Sequence, residues 1–161
     1  MKNQAIVLGI DPGLAHTGWG IILKSGSKLQ CLAYGCIVTT PELTLEKRLL
    51  KIQQQIAAVI DKFKPEYCGI ETVWFGNNVS AGIATSQARG VALAACAFAN
   101  LKIAEYTPKQ IKLAIVGSGS AEKKQIQYMV AKMLDLSDIP KPDHSADALA
   151  AAICFTNYER I

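Results

Sequence analysis

Three carboxylates and one imidazole stand where chemistry can be built: Asp11, Glu71, Asp147 and His144. Asp11 closes the apolar run Ala5–Ile10 and is followed at once by Pro12-Gly13. Glu71 closes a second apolar run, Tyr67–Ile70. His144 and Asp147 are three apart at the start of an alanine-rich stretch, so a helix there puts both on one face. An unpaired charge at the end of an apolar run is expensive to bury. Converging strand ends can instead gather such groups around hard divalent cations, which favour oxygen ligands. Each residue alone has an ordinary reading as well. An Asp before Pro-Gly is commonly a turn residue, a strand-end Glu is commonly exposed, and a lone His commonly caps a helix or lies on the surface.

The elements that must position these groups follow from hydrophobic period and punctuation. Residues 5–11, Thr17–Leu23 and Lys28–Ile37 read as three strands joined by short turns, Gly26 marking one of them, which predicts an antiparallel meander. Leu45, Leu49, Ile52, Ile56, Val59, Ile60 and Phe63 recur at helical spacing, with Thr40-Pro41 or Thr44 as the start and Pro65 as the end. The Glu71 strand comes next. Residues 78–99 form a helix rich in small residues, Ala81, Ala84, Ala88, Ala92 and Ala95 among them. A short strand, Lys102–Tyr106, and a short helix, Lys109–Val116, follow. Ser120 is placed to cap a helix over 121–135. Pro140 and Pro142 hold the chain extended before a last helix, Asp143–Asn157. This order of elements predicts a mixed sheet with helices on its faces, in an α/β fold.

With 161 residues, half of them hydrophobic, the chain is expected to form one domain with a real core, 1–161, rather than a disordered segment. No apolar run reaches membrane-spanning length, and no signal-peptide pattern opens the chain. Five cysteines without a C-x-x-C pair predict reduced thiols in a cytoplasmic protein. The net charge of +4 is modest, but its distribution is uneven. Between Lys102 and Lys132 there are six lysines against Glu105 and Glu122. A basic surface beside an acidic centre suits a polyanionic substrate held near metal; a solvated helix face is the plain alternative.

The order of elements and acids resembles the ribonuclease H-like nucleases. Five segments resemble the RuvC family of bacterial Holliday-junction resolvases: Gly9-Ile10-Asp11-Pro12-Gly13, Ile70-Glu71, Gln87-Ala88-Arg89-Gly90, Gly119-Ser120-Ala121-Glu122-Lys123 and Asp143 through Ala150. Any one is weak, but five in this order and spacing are strong, and the likeness runs from about residue 6 to about 155. The resemblance implies a ribonuclease H-like mixed five-stranded sheet flanked by helices. It implies an endonuclease that resolves four-way DNA junctions by paired symmetric nicks in recombination and repair, with two Mg²⁺ ions per site and 5′-phosphate and 3′-hydroxyl products.

Carried onto this chain, the resemblance makes Asp11 the ligand that bridges the metals and Glu71 the second ligand. Asp147 and His144 take the third and fourth positions. The family uses Asp or His at the fourth, and Asp143 and His144 stand side by side here. The three-residue step from His144 to Asp147 matches the family register, which leaves Asp143 as a helix N-cap. Lys112 and Lys123 fall where the family carries functional lysines. Arg89 contacts the DNA backbone or packs against a neighbour. Trp74 takes the place of an aromatic that stacks on an unpaired base, or else caps the core with Phe75, while Trp19 is assigned to the core. A homodimer, with the helix 78–99 as candidate interface, and the branch-migration proteins RuvA and RuvB are implied as partners.

Three other readings compete. Gly-Ile-Asp-Pro-Gly also resembles the first phosphate loop of sugar-kinase and actin-like ATPases, but that architecture needs a second domain for which this chain is too short. A related ribonuclease H-like nuclease acting on RNA and a non-catalytic junction-binding protein are the nearer rivals. Retention of all four candidate ligands favours an enzyme.

Overall fold

The computed structural model describes residues 4–73 and 75–161. Strands β1 (Gln4–Asp11), β2 (His16–Ser25) and β3 (Lys28–Val38) form the expected antiparallel meander. Helix α1 (Leu45–Phe63) leads to β4 (Tyr67–Glu71), then α2 (Val79–Phe98) and β5 (Lys102–Tyr106). Helices α3 (Pro108–Val116), α4 (Lys123–Met133) and α5 (Asp143–Tyr158) complete the chain. The strands form one five-stranded sheet in the order β3-β2-β1-β4-β5. β4 runs parallel to β1, and β5 runs parallel to β4. The mixed α/β sheet expected from the sequence is therefore present.

Side chains alternate across a strand, so each strand feeds both faces of the sheet. On one face Leu8, Ile10, Ile21 and Ile70 pack with Ile52, Ile56, Ala88 and Ala92 from α1 and α2. On the other, Val7 and Ile22 pack with Ile111 and Ile115 of α3, Ile126 and Val130 of α4, and the run Leu149–Phe155 of α5. The result is three layers, with the sheet between a two-helix layer and a three-helix layer.

Helix α5 lies deepest, buried along nearly all of Ser145–Thr156. Its depth has a cause in the strands beneath it. Gly9 of β1, Gly18 of β2 and Gly69 of β4 face it, and a Cβ at each would come within 1.9, 1.9 and 2.4 Å of the carbonyl oxygens of Ala148, His144 and Ala151. Only glycine permits backbone to approach backbone so closely. These contacts fall at His144, Ala148 and Ala151, a spacing that runs along one helix face.

Several local boundaries differ from the sequence expectation. Thr44, not Thr40-Pro41, precedes α1, and Lys64 closes that helix in the left-handed conformation just before Pro65. Ser120 does not cap α4. Residues 118–121 form a turn in which Ala121 N–H donates to Ser118 O (3.3 Å), so the helix begins later. Glu122 is its N-cap, and the Glu122 N–H donates to Gln125 Oε1 (3.0 Å). Asp143 is likewise not a cap: Pro142 holds the N-cap position of α5 and Asp143 is the first helical residue. Its carboxylate is drawn sideways toward Lys123 Nζ (3.5 Å). Trp19 is partly buried against the α1/α2 core, beside Phe63. Among the described residues no helix is long and apolar enough to cross a membrane.

Candidate functional site

The parallel pairing of β1 with β4 puts Ile10 opposite Ile70, so Asp11 and Glu71 leave adjacent strands at the same end of the sheet. Both lie on the face that carries Gly9 and Gly69, the face covered by α5. The N-terminal turn of α5 stands over that end, because the close approach at Gly18 and Gly9 seats His144 and Ala148 directly on the strands. Asp11 and His144 thus meet, with His144 Nδ1 2.9 Å from Asp11 Oδ2. One ligand atom from each of Asp11, His144 and Asp147 lies within 4.8 Å of the others. Glu71 stands just outside this tightest group, close enough to feel the charges of Asp11 and Asp147.

The electrostatics of this cluster are strained. Burial, and after it the charges of Asp11 and Asp147, push the Glu71 carboxyl up to about 7. Burial and Asp11 also hold Asp147 above its ordinary value. The hydrogen bond to Asp11 is the main cause that raises His144. Lys123 Nζ lies 3.3 Å from Asp147 and 3.5 Å from Asp143, partly countering the acids. Burial draws Lys123 down, but Asp147 and Asp143 outweigh it and keep its ammonium above the usual value. Glu71 and Asp147, which resist ionisation, together with Asp11 and an imidazole, form a donor set that fits a divalent cation.

Glu71 borders two clefts. One, of about 440 Å³, runs from Asp11 and Glu71 toward Asn77, Asn78 and Thr85 at the start of α2. The other, of about 230 Å³, runs from Glu71 and Asp147 to Lys112 and Lys123. The acids therefore lie in a trough with a lysine-bearing wall. Arg89 is elsewhere: it leaves α2 to pair with Glu105 of β5, and only a fifth of its side chain is exposed. Trp74 lies outside the described residues.

Two features escaped the sequence reading. The glycines beneath α5 were readable in principle, because a glycine inside a strand pattern marks close backbone approach. His16 gave no such signal, yet its ring stacks on that of His144.

A mixed sheet of this order, with acids converging where its parallel strands end under a buried helix, defines the ribonuclease H-like class. Within that class, the chain matches the family described as crossover junction endodeoxyribonuclease RuvC over residues 7–155. A protein of that name from Treponema denticola is 48% identical over 157 residues, covering 97% of this chain and 88% of that protein. The solved structure of Thermus thermophilus RuvC superposes with a TM-score of 0.86 at 31% identity, covering 95% of this chain and 94% of that one. The same protein in complex with a Holliday junction substrate gives a TM-score of 0.90 at 32% identity, with 96% and 94% covered. The chain belongs to the RuvC family.

Proposed function

We propose that this chain is a structure-selective endonuclease that resolves four-way DNA junctions by paired symmetric nicks; its relatives are named crossover junction endodeoxyribonucleases. The observation that carries the reading is the convergence of Asp11, His144 and Asp147 within 4.8 Å, with Glu71 beside them. Asp11, Glu71, Asp147 and His144 are the residues that would hold metal, two Mg²⁺ ions in this reading. The chemistry such ions would supply there is a lowered pKa for a water near the scissile phosphate and stabilisation of charge on the departing 3′ oxygen.

The protein's own groups do the rest. Asp11 is in contact with His144 and holds one atom of its ring, Nδ1. Lys123 neutralises part of the acid charge and stands in the first turn of α4, where a phosphate would be welcome to both the ammonium and the helix N-terminus. Lys112, which lines the same cleft, would meet the same backbone. The products would carry 5′-phosphate and 3′-hydroxyl ends.

Two nicks related by symmetry call for two copies of the site, so a homodimer is part of this reading. RuvA and RuvB as partners, and a cytoplasmic location, also belong to it. The test is incubation of a four-way junction with the protein and Mg²⁺. Paired symmetric nicks that a ligase can reseal are expected. Cleavage of RNA in preference to the junction, or junction binding without cleavage, would replace this reading with one of its rivals.

A further inference from the structure

We propose that His16 is a positioning residue that fixes the ring plane of His144 against Asp11. The inference rests on the reading of His144 as a site residue. The rings of His16 and His144 lie nearly parallel, 7° apart, with centroids 5.2 Å from each other. His144 is at the start of α5 and 41% of its side chain is exposed, so core packing does little to restrain it. Its hydrogen bond to Asp11 holds one ring atom, Nδ1. A single hydrogen bond leaves the ring free to swing about that contact. A second ring laid over one face removes that freedom. Edge and plane together determine where Nε2 points, and Nε2 is the nitrogen left for a metal or a water.

His16 can act this way because the loop that carries it is itself held. The Thr17 hydroxyl donates to Gly13 O (2.6 Å). Thr39, buried just beyond β3, donates its hydroxyl to Leu14 O and its N–H to Ala15 O (2.9 Å). Arg48 of α1 donates from Nε to Thr39 Oγ1 (2.8 Å). The segment between Asp11 and His16 is thus tied at Gly13, Leu14 and Ala15. Helix α1, which contributes none of the acids, thereby braces the ring that covers His144.

The test uses the full chain, labelled with ¹⁵N-histidine. The protein has two histidines, so a His16 variant leaves the His144 ring as the one remaining signal. His16→Ala should shift and broaden that signal. It should also slow cleavage at saturating junction roughly three- to ten-fold, with junction affinity unchanged. His16→Phe keeps a ring without nitrogens and should recover the rate to within about two-fold. His16 is exposed at the strand start, so both variants should melt with the wild type. If the Ala variant melts early, His16→Gln, which lacks a ring, takes its place beside His16→Phe. An unchanged His144 signal in the variant without a ring would overturn the proposal. So would a His16→Phe variant as slow as that one, because the ring nitrogens and not the stack would then matter. If the wild type cleaves no junction, the proposed function fails, while the ring spectra still report whether His16 orders His144.

Discussion

His144 Nδ1 lies 2.9 Å from Asp11 Oδ2, although 133 positions separate the two residues. One stands at the end of the first strand and the other in the first turn of the last helix. The whole intervening fold serves to bring them together.

Asp11→Asn should abolish cleavage and leave junction binding largely intact. The amide keeps the shape but gives up the charge that anchors metal, while the lysine-bearing wall remains. Gel-shift and cleavage assays on one junction read both quantities. Substantial cleavage by the Asn variant would remove Asp11 from the site.

His144→Ala should slow cleavage at least ten-fold, and Asp143→Ala much less. His144 contacts Asp11, whereas the Asp143 carboxylate is half exposed and turned toward Lys123. Single-turnover rates decide the matter. The reverse ranking would move the fourth ligand to Asp143.

Lys112→Ala and Lys123→Ala should each reduce cleavage, and junction affinity in the wild type should fall steeply with salt. If each lysine meets a phosphate, each variant should lower the magnitude of the salt slope by roughly 1. Normal binding with slow cleavage would instead assign the lysine to the transition state. No change in slope, affinity or rate would leave both as surface lysines.

Glu71→Gln should stabilise the metal-free protein at pH 7 to 8. In the folded chain Glu71 titrates at about 7, against an ordinary value of 4.5. Between those values the folded state holds a proton that the unfolded state has lost. Its contribution is therefore fully present below 4.5 and is lost as pH rises through about 7. The variant avoids the loss. Its melting temperature should exceed the wild type's by roughly 2–6 °C at pH 8, with the gap closing toward pH 5. Melts in EDTA at both pH values measure it, and a gap independent of pH would contradict the assignment.

Gly18→Ala should cost about 1–3 kcal/mol of stability and also slow cleavage. The new Cβ would stand 1.9 Å from the His144 carbonyl oxygen, so α5 must lift from the sheet. Gly90, where a Cβ meets nothing within 4 Å, is the control: Gly90→Ala should not destabilise. Denaturant melts of the two variants, together with their cleavage rates, make the comparison.

The amino-acid sequence alone determined the elements and the four candidate ligands. Apolar runs and alternation laid out β1 to β3 within a residue or two: the central strand β1 is buried on both faces and reads as a continuous apolar run, whereas the edge strand β3 is half-buried and alternates. Helix α1 was equally legible from its buried Ile52, Ile56 and Ile60. Local caps were less so, since the choice between Ser120 and Glu122 depends on a turn that closes through the backbone. Arg89 could be read only as contacting DNA or a neighbour; its partner Glu105 sits on a strand 16 residues away that the sheet brings beneath α2.

What only the tertiary structure decided is how the ligands meet. Sequence spacing places His144 and Asp147 on one helix face, but it cannot say how near that helix lies to Asp11. That distance is set by Gly9, Gly18 and Gly69, which let the α5 backbone rest on three strands at once. The stacking of His16 on His144 is of the same kind. Neither residue's neighbours in the chain encode it, because it arises where a loop held by Thr39 and Arg48 passes the first turn of a distant helix. Periodicity records which side of an element is buried, whereas contacts between sequence-distant elements exist only once the layers have packed.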